Sequence, residues 1–253
     1  MTNISLKSIK YESIKAIFNS IADTEKISRA EISEITDLSL VTVGKIADAL
    51  LDLNIVTQVK EIKPQAGRRA GIIRINEQKF SAIFDLTTYE FRIAIMNLRL
   101  DLVELVRIPL KPKKSYIDNL RDLFNEAITL INRKYDLADC FGVGIALPGT
   151  YNPDTDTVNT TRIPELNDIH ISALTSQYFD GLPLTIDSQI NAAARSNITH
   201  VEDYRNKNLL YWYVEASYVC GAYMVNGELI LGRDRHACDF GKMIGRGGKP
   251  SMS

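Results

Sequence analysis

Little in this sequence points to a membrane, a disulfide framework or a metal. No apolar run approaches the ~20 residues that a spanning helix needs, and the opening MTNISLKSIK lacks the apolar core of a secretory signal. The three cysteines, Cys140, Cys220 and Cys238, are odd in number and have no CxxC spacing. They read as reduced thiols of a soluble, cytoplasmic protein, with neither a disulfide set nor a zinc site. His170, His200 and His236 are scattered and read as surface or cleft residues. A dominant charge is missing too: 30 Lys and Arg against 31 Asp and Glu leave a net charge of -1, which says nothing of partners. What is present is enough apolar content, 45% over 253 residues, to bury the cores of two globular domains.

The densest signal lies at residues 27–56, ISRAEISEITDLSLVTVGKIADALLDLNIV. Ser28 and Glu31 form a capping box, in which the hydroxyl satisfies the Glu31 amide and the carboxylate reaches back to the Ser28 amide. This predicts a helix with Ala30, Ile32 and Ile35 on its apolar side. Thr36, Asp37 and Leu38 break it, with Leu38 as the buried plug of the turn. Ser39 then caps a second helix whose inward stripe is Val43, Ile46, Ala47, Leu50 and Leu51. Leu40, Thr42, Gly44 and Lys45 are left facing out at its start. That is the arrangement of a helix-turn-helix, whose second helix enters the major groove. An ordinary helical hairpin buried in a core has the same pattern.

Residues 57–75 favour the DNA reading. Residues 57–63 alternate, 64–71 form a turn rich in Gly and Arg, and 72–75 make a second short strand. Helix, helix and β-hairpin is the order of a winged helix. Arg68 and Arg69, between Gly67 and Gly71, suit a wing on phosphates or in a narrow minor groove; a solvated turn is the plainer alternative. Lys60, Lys63, Arg68, Arg69 and Arg74 give this part of the chain a local basic bias. Before it, Ile14, Ile17, Phe18 and Ile21 recur at helical spacing within residues 4–21.

Residues 1–76 are therefore expected to form one domain and 80–253 another. The second begins with three strand patterns at 81–85, 91–96 and 102–108, then an amphipathic helix at 116–135. A buried strand at 140–146 runs into Leu147-Pro148-Gly149, and residues 150–167 are polar and loop-like, with room for a short hairpin at 152–158. Helix at 169–179, strand at 184–186 and helix from Gln189 come next. Residues 209–215 and 221–225 read as a hairpin-like pair turned at Asn226-Gly227. Strands, then alternating helix and strand, make an α/β layer architecture.

The chain resembles the ROK family (repressors, open reading frames and sugar kinases), in its repressor branch with an N-terminal winged helix-turn-helix, of xylose and N-acetylglucosamine repressor type. The matching marks are ISRAEI, LSLVTVGKIADALLDLNIV, GRR, GVGIALPG at 142–149, IDSQINAAA at 186–194 and GRDRHACDFGKM at 232–243. The resemblance implies a winged-helix head joined to an actin-like, ribonuclease H-like sugar-kinase domain. Family members normally continue into further helices, so the C-terminal lobe is expected to be incomplete after the tail GRGGKPSMS.

The departures from the family pattern bear on activity. Its first phosphate loop resembles DxGxT; here it is Asp85-Leu86-Thr87-Thr88-Tyr89, without glycine. The second glycine-rich loop falls on EASYVCG, residues 215–221, which keeps one glycine. The Asn-Asp pair that holds the sugar and supplies the general base aligns with Ser188-Gln189, and glutamine cannot take a proton. An alternative alignment makes Asp187 the base. The family's Glu-x-Gly-His motif matches Asp239-Phe240-Gly241-Lys242, where protonated lysine cannot replace a zinc-binding imidazole. Ser188, Gln189, Asp239 and Lys242 either form a polar sugar pocket or remain as ordinary cleft residues.

The expectation is a transcriptional regulator, a repressor of carbohydrate genes, without catalytic residues, cofactor or metal. Ser28, Arg29, Ser39, Leu40, Thr42, Lys45, Arg68 and Arg69 are its candidate contacts to double-stranded operator DNA. A sugar effector, and a homodimer or higher oligomer, are its other expected partners. The competing readings are an ATP-dependent sugar kinase of the same family and a truncated, non-functional or partner-dependent relative.

Overall fold

A computed structural model describes residues 11–60, 71–200, 207–215 and 218–233, with Arg235, Ala237, Cys238 and Phe240. The chain divides into two compact units, Met1–Ser81 with Ile95–Val103, and Ala82–Ala94 with Glu104–Ser253.

The first unit contains α1 (Tyr11–Ala22), β1 (Ile27–Ser28), α2 (Arg29–Thr36), α3 (Leu40–Asp52), β2 (Val56–Lys60) and β3 (Gly71–Ile75). Both halves of the capping box form: the Glu31 amide donates to Ser28 Oγ at 3.3 Å, and the Ser28 amide to Glu31 Oε2 at 2.7 Å. α2 ends at Asp37, whose φ of 53° is a left-handed value that Asp tolerates. Ser33 Oγ donates to the Leu38 carbonyl at 2.5 Å and closes the turn. Ser39 Oγ then accepts from the Thr42 amide at 3.2 Å and starts α3. Ile32 of α2 meets Val43, Ile46 and Ala47 of α3 in one buried core with Ile17 and Ile21 of α1 and Ile73 of β3, and Leu38 packs against it.

α1 is described from Tyr11, and the residues expected to begin it earlier lie outside the described ones. Two features differ from the sequence expectation. Ala30 and Ile35 are exposed, Ile35 by 63%. α2 is about two turns long and its one buried residue is Ile32, so the apolar stripe is narrower than spacing suggests. A short strand, β1, pairs antiparallel with β3 (Ile27 opposite Ile73), making β3 the centre of a three-stranded sheet with β2 on its other side. Two residues are too few to show a strand period. Residues 95–103 complete the unit: Leu98 packs against the core, and the Arg99 guanidinium donates to the carbonyls of Ala22 and, at 2.9 Å, Thr24. The Ala22 carbonyl is one that the end of α1 leaves without a helical partner, and Thr24 lies in the turn that follows.

The second unit is built on a five-stranded sheet, of which residues 80–81, 95–97 and 102–103 at strand ends fall within the ranges of the first unit. Its strands are β4 (Phe80–Leu86), β5 (Glu90–Asn97), β6 (Leu102–Pro109), β7 (Cys140–Leu147) and β10 (Leu184–Ser188), in the order β10-β7-β4-β5-β6. β7 and β10 run parallel, with Ile145 opposite Ile186. Strict alternation in β4 buries Phe80, Ala82, Phe84 and Leu86. α4 (Tyr116–Lys134) contributes Leu120, Leu123, Phe124, Ala127 and Ile131 to the core. There Phe84 meets Phe124 edge-on at 5.1 Å and Phe179 at 5.5 Å.

The loop-like stretch at 150–167 holds a small hairpin of β8 (Thr150–Asn152) and β9 (Thr157–Asn159), where the sequence places one at 152–158, then a 3₁₀ turn at Pro164–Asp168. α5 (Ile171–Ser176) is shorter than the helix expected at 169–179, and α6 (Gln189–His200) comes directly after β10. The last sheet corrects the hairpin assignment. β11 (Leu209–Glu215) pairs with β12 (Tyr218–Val225) ahead of Asn226-Gly227, which instead turns β12 into a third strand, β13 (Glu228–Ile230). Asn226 and Gly227 have φ of 51° and 80°, the paired positive values of a type I′ turn. Among the described residues no helix is long and apolar enough to cross a membrane.

Candidate functional site

In the first unit the candidate residues cluster at the start of α2 and α3. The Ser28 and Ser39 hydroxyls are engaged as helix caps. Thr42 Oγ1 lies 2.9 Å from Ser39 Oγ, so its hydroxyl too has a partner inside the fold. Arg29 Nη2 is 2.5 Å from Asp48 Oδ1, an ion pair bridging α2 and α3. The groups left outward are Leu40, 58% exposed, Val41, 67% exposed, and Lys45. Val41 is not among the sequence candidates, although its place two residues before the inward Val43 puts it on the far side of α3. Arg68 and Arg69 lie outside the described residues.

The second unit holds a cavity of about 150 Å³. Its walls are the Pro148–Gly149 turn after β7, the loop at 159–162, the first turn of α6, Cys220 and Gly221 of β12, and Arg235, Ala237 and Cys238. Gly149 is required here: a Cβ would stand 2.6 Å from the Asn159 carbonyl oxygen. Asn167 fixes the opposite wall, accepting from the Thr160 amide at 2.8 Å and donating to the Thr160 carbonyl at 3.0 Å. Ser188 and Gln189 are among the residues that line the cavity, whereas Asp239 and Lys242 lie outside the described residues. Sequence reasoning misses Arg162, Asn191 and Arg235, because two of them sit in stretches without periodicity. Arg162 and Arg235 are the charged residues among the described lining. Burial pushes the Cys238 thiol up, which keeps it neutral.

Gln189 does not point freely into this space. Its amide nitrogen donates to Asp85 Oδ1 at 2.5 Å and to the Leu86 carbonyl at 3.1 Å. Asp85 is also paired to Arg92 at 3.1 Å. Asp187 is engaged elsewhere: one oxygen accepts from the Ser188 amide and the Asn191 side chain, each at 2.8 Å, and the other lies 3.5 Å from Arg195. It is not among the residues that line the cavity.

The turn between β4 and β5 uses its amides internally. Thr87 N donates to the Glu90 carbonyl, and Thr87 Oγ1 accepts from the amides of Tyr89 and Glu90. The Tyr116 hydroxyl, its pKa driven upward by burial, donates to the Thr87 carbonyl at 3.0 Å. Phosphate cradles need several amides aimed at one point, and these three are engaged within the turn. Among the described residues, no group of three or more His, Cys, Asp or Glu could hold a metal ion.

Asp156 organises the hairpin beside the cavity. Its carboxylate accepts from the Tyr151 hydroxyl at 2.9 Å and from the Ser172 and Ala173 amides at 3.0 and 3.3 Å. Burial raises its pKa, but the hydrogen bonds from Ser172, Tyr151 and Ala173 outweigh that and hold it below the ordinary value. Tyr151 is pushed up to about 12, by burial first and then by Asp156. Asp156→Ala is expected to cost about 1–3 kcal/mol at pH 7. A depressed carboxylate stabilises the fold above its unfolded pKa of about 3.9 and loses that contribution as pH falls through the folded value. Urea titrations from pH 7 downward are therefore expected to show the gap from wild type closing only below about pH 4.

Residues 84–246 match the ROK family. The chain belongs to the ROK family. It is 24% identical over 229 residues to the xylose repressor of Caldicellulosiruptor bescii, covering 89% of this chain and 56% of that protein. It is 27% identical over 161 residues to the N-acetyl-D-glucosamine kinase of Yersinia pestis, covering 62% of this chain and 59% of the kinase. Among solved structures, a ROK family transcriptional regulator homologous to the E. coli MLC protein superposes with a TM-score of 0.70 at 19% identity. That match covers 92% of this chain and 59% of the regulator. The chain thus spans under two thirds of each, and its fold is the mixed α/β fold of ROK proteins.

Proposed function

We propose that the chain is a DNA-binding transcriptional regulator, a repressor of carbohydrate-utilisation genes. In this reading residues 1–76 are a winged helix-turn-helix domain, and residues 80–253 are a non-catalytic sugar-kinase-like domain that senses a sugar in the cavity between Gly149 and α6. The observation that carries it is α3: a capped helix with one face buried and its first turn exposed, leading into a β-hairpin. That is how a recognition helix is presented to the major groove. The similarity to proteins named xylose repressors supports the same reading. Two copies on neighbouring half-sites, about 34–36 Å apart, would place two such helices in successive grooves. A sugar that binds the DNA-competent and DNA-incompetent states unequally would shift operator affinity by that difference.

A kinase reading draws support from the Yersinia pestis relative. Against it stand the engaged amides of the β4–β5 turn and the use of Gln189 as a donor to Asp85. The wing is tested by Arg68→Ala with Arg69→Ala. Each lost phosphate contact flattens the slope of log K against log salt by about 0.9, so the double variant is expected to weaken binding on most duplexes and to reduce the slope by up to about 2. A slope equal to wild type removes the wing assignment.

A further inference from the structure

The outward face of α3 is unusual in what it offers a base pair. The Ser39 and Thr42 hydroxyls are held against each other at the cap, and the Arg29 guanidinium is paired with Asp48. What projects from the first turn is aliphatic, Leu40 and Val41, both more than half exposed. One turn on, no steric reason for Gly44 to be glycine is found among the described residues: the nearest of them to an added Cβ is Arg29 Nη1 at 3.8 Å, an ordinary contact. A glycine inside a helix is destabilising relative to alanine, so one that nothing among the described residues demands points to a close approach from outside. Lys45 stands beside it, exposed and positively charged. Aliphatic groups flanked by a cation and a side-chain gap match one feature of the major groove, the 5-methyl of thymine beside the phosphate backbone.

We infer that Leu40 and Val41 read thymine 5-methyl groups, so that selectivity within each half-site rests on methyl contact more than on hydrogen bonds from α3. This deepens the DNA-binding reading and depends on it. The methyl lies in the major groove alone, so its removal probes α3 without touching a wing in the minor groove. Burial of one methyl-sized group corresponds to about fourfold in affinity.

The test selects the tightest duplex from a random pool with the full chain. That duplex is then remade with deoxyuridine in place of thymine through one half-site. The expected result is about fourfold weaker binding for each contacted methyl, with the difference between thymine and uracil lost in Leu40→Ala/Val41→Ala. Both positions are exposed, so this variant keeps its fold, checked by circular dichroism. Lys45→Ala is expected to weaken binding to every duplex and flatten the salt slope while keeping the thymine preference. Equal affinity of wild type for the thymine and uracil duplexes overturns methyl reading and leaves DNA binding standing. Failure to enrich any duplex from the pool overturns the DNA-binding reading, and this inference with it.

Discussion

Gln189→Glu is expected to destabilise the second unit by roughly 2–4 kcal/mol at pH 8, and to do so without creating kinase activity. The substitution keeps the shape of the side chain and replaces the donor with an acceptor. In the wild type that donor lies 2.5 Å from Asp85 Oδ1 and 3.1 Å from the Leu86 carbonyl. A carboxylate there faces one acceptor and one negative charge, and two carboxylates so close do not both stay ionised. One of the pair is then protonated well above the pKa of a free carboxyl. A folded-state pKa raised above the unfolded value makes the fold relatively more stable at low pH and less so as pH rises through it. The deficit against wild type is therefore expected to be smaller at pH 5 than at pH 8, and paired urea melts at the two pH values measure it. The kinase reading predicts the opposite gain, ATP-dependent phosphorylation of a sugar once a base is restored. The engaged amides of Thr87, Tyr89 and Glu90 are the reason to expect none.

Phe84→Ala carries the other large effect, about 3–5 kcal/mol of stability. Phe84 is fully buried in β4, with Phe124 of α4 at 5.1 Å and Phe179, after α5, at 5.5 Å. Truncation removes the ring that both others pack against and leaves a void between strand and helices. Neighbours drawn from different elements cannot collapse into it without moving those elements. Phe84→Leu retains most of the volume and is expected to cost under half as much. The only tryptophan in the sequence, Trp212, stacks on Phe240 at 4.4 Å in the same unit. Its fluorescence thus tracks the unfolding of the unit that the substitution weakens. A change under about 1 kcal/mol would mean that the site repacks.

These positions also mark how far the sequence can be read. α3 is legible to its cap because Ser39, the inward stripe and the exposed first turn are local facts of spacing. The same holds for β4, whose alternation is strict, and for α4, whose buried residues recur at helical spacing. The small pieces are not legible: β1 spans two residues and β13 three, too few to show a period, so spacing alone gives the turn at Asn226-Gly227 the wrong partner strand. Ile35 marks another limit, since spacing tells which side of a helix is apolar and not how much of that side a neighbour covers.

The site divides in the same way. Ser188 and Gln189 are singled out through their resemblance to a sugar-binding pair, and both are among the residues that line the cavity. Arg162 and Arg235 escape notice because loops carry no periodic signal, and their convergence is a product of the fold. The bond from Gln189 to Asp85 joins residues 104 positions apart, which no local pattern announces. The glutamine at this position is visible in the sequence; what it donates to is not.

The measurement that bears most directly on operator recognition is binding of the purified chain to a fluorescent duplex from upstream of its own gene. It is made across a salt series, with an unrelated duplex of the same length beside it. A DNA-binding regulator is expected to bind the upstream duplex more tightly and to lose affinity steeply with salt, since phosphate neutralisation releases counterions. Weak binding that is equal on both duplexes would contradict it.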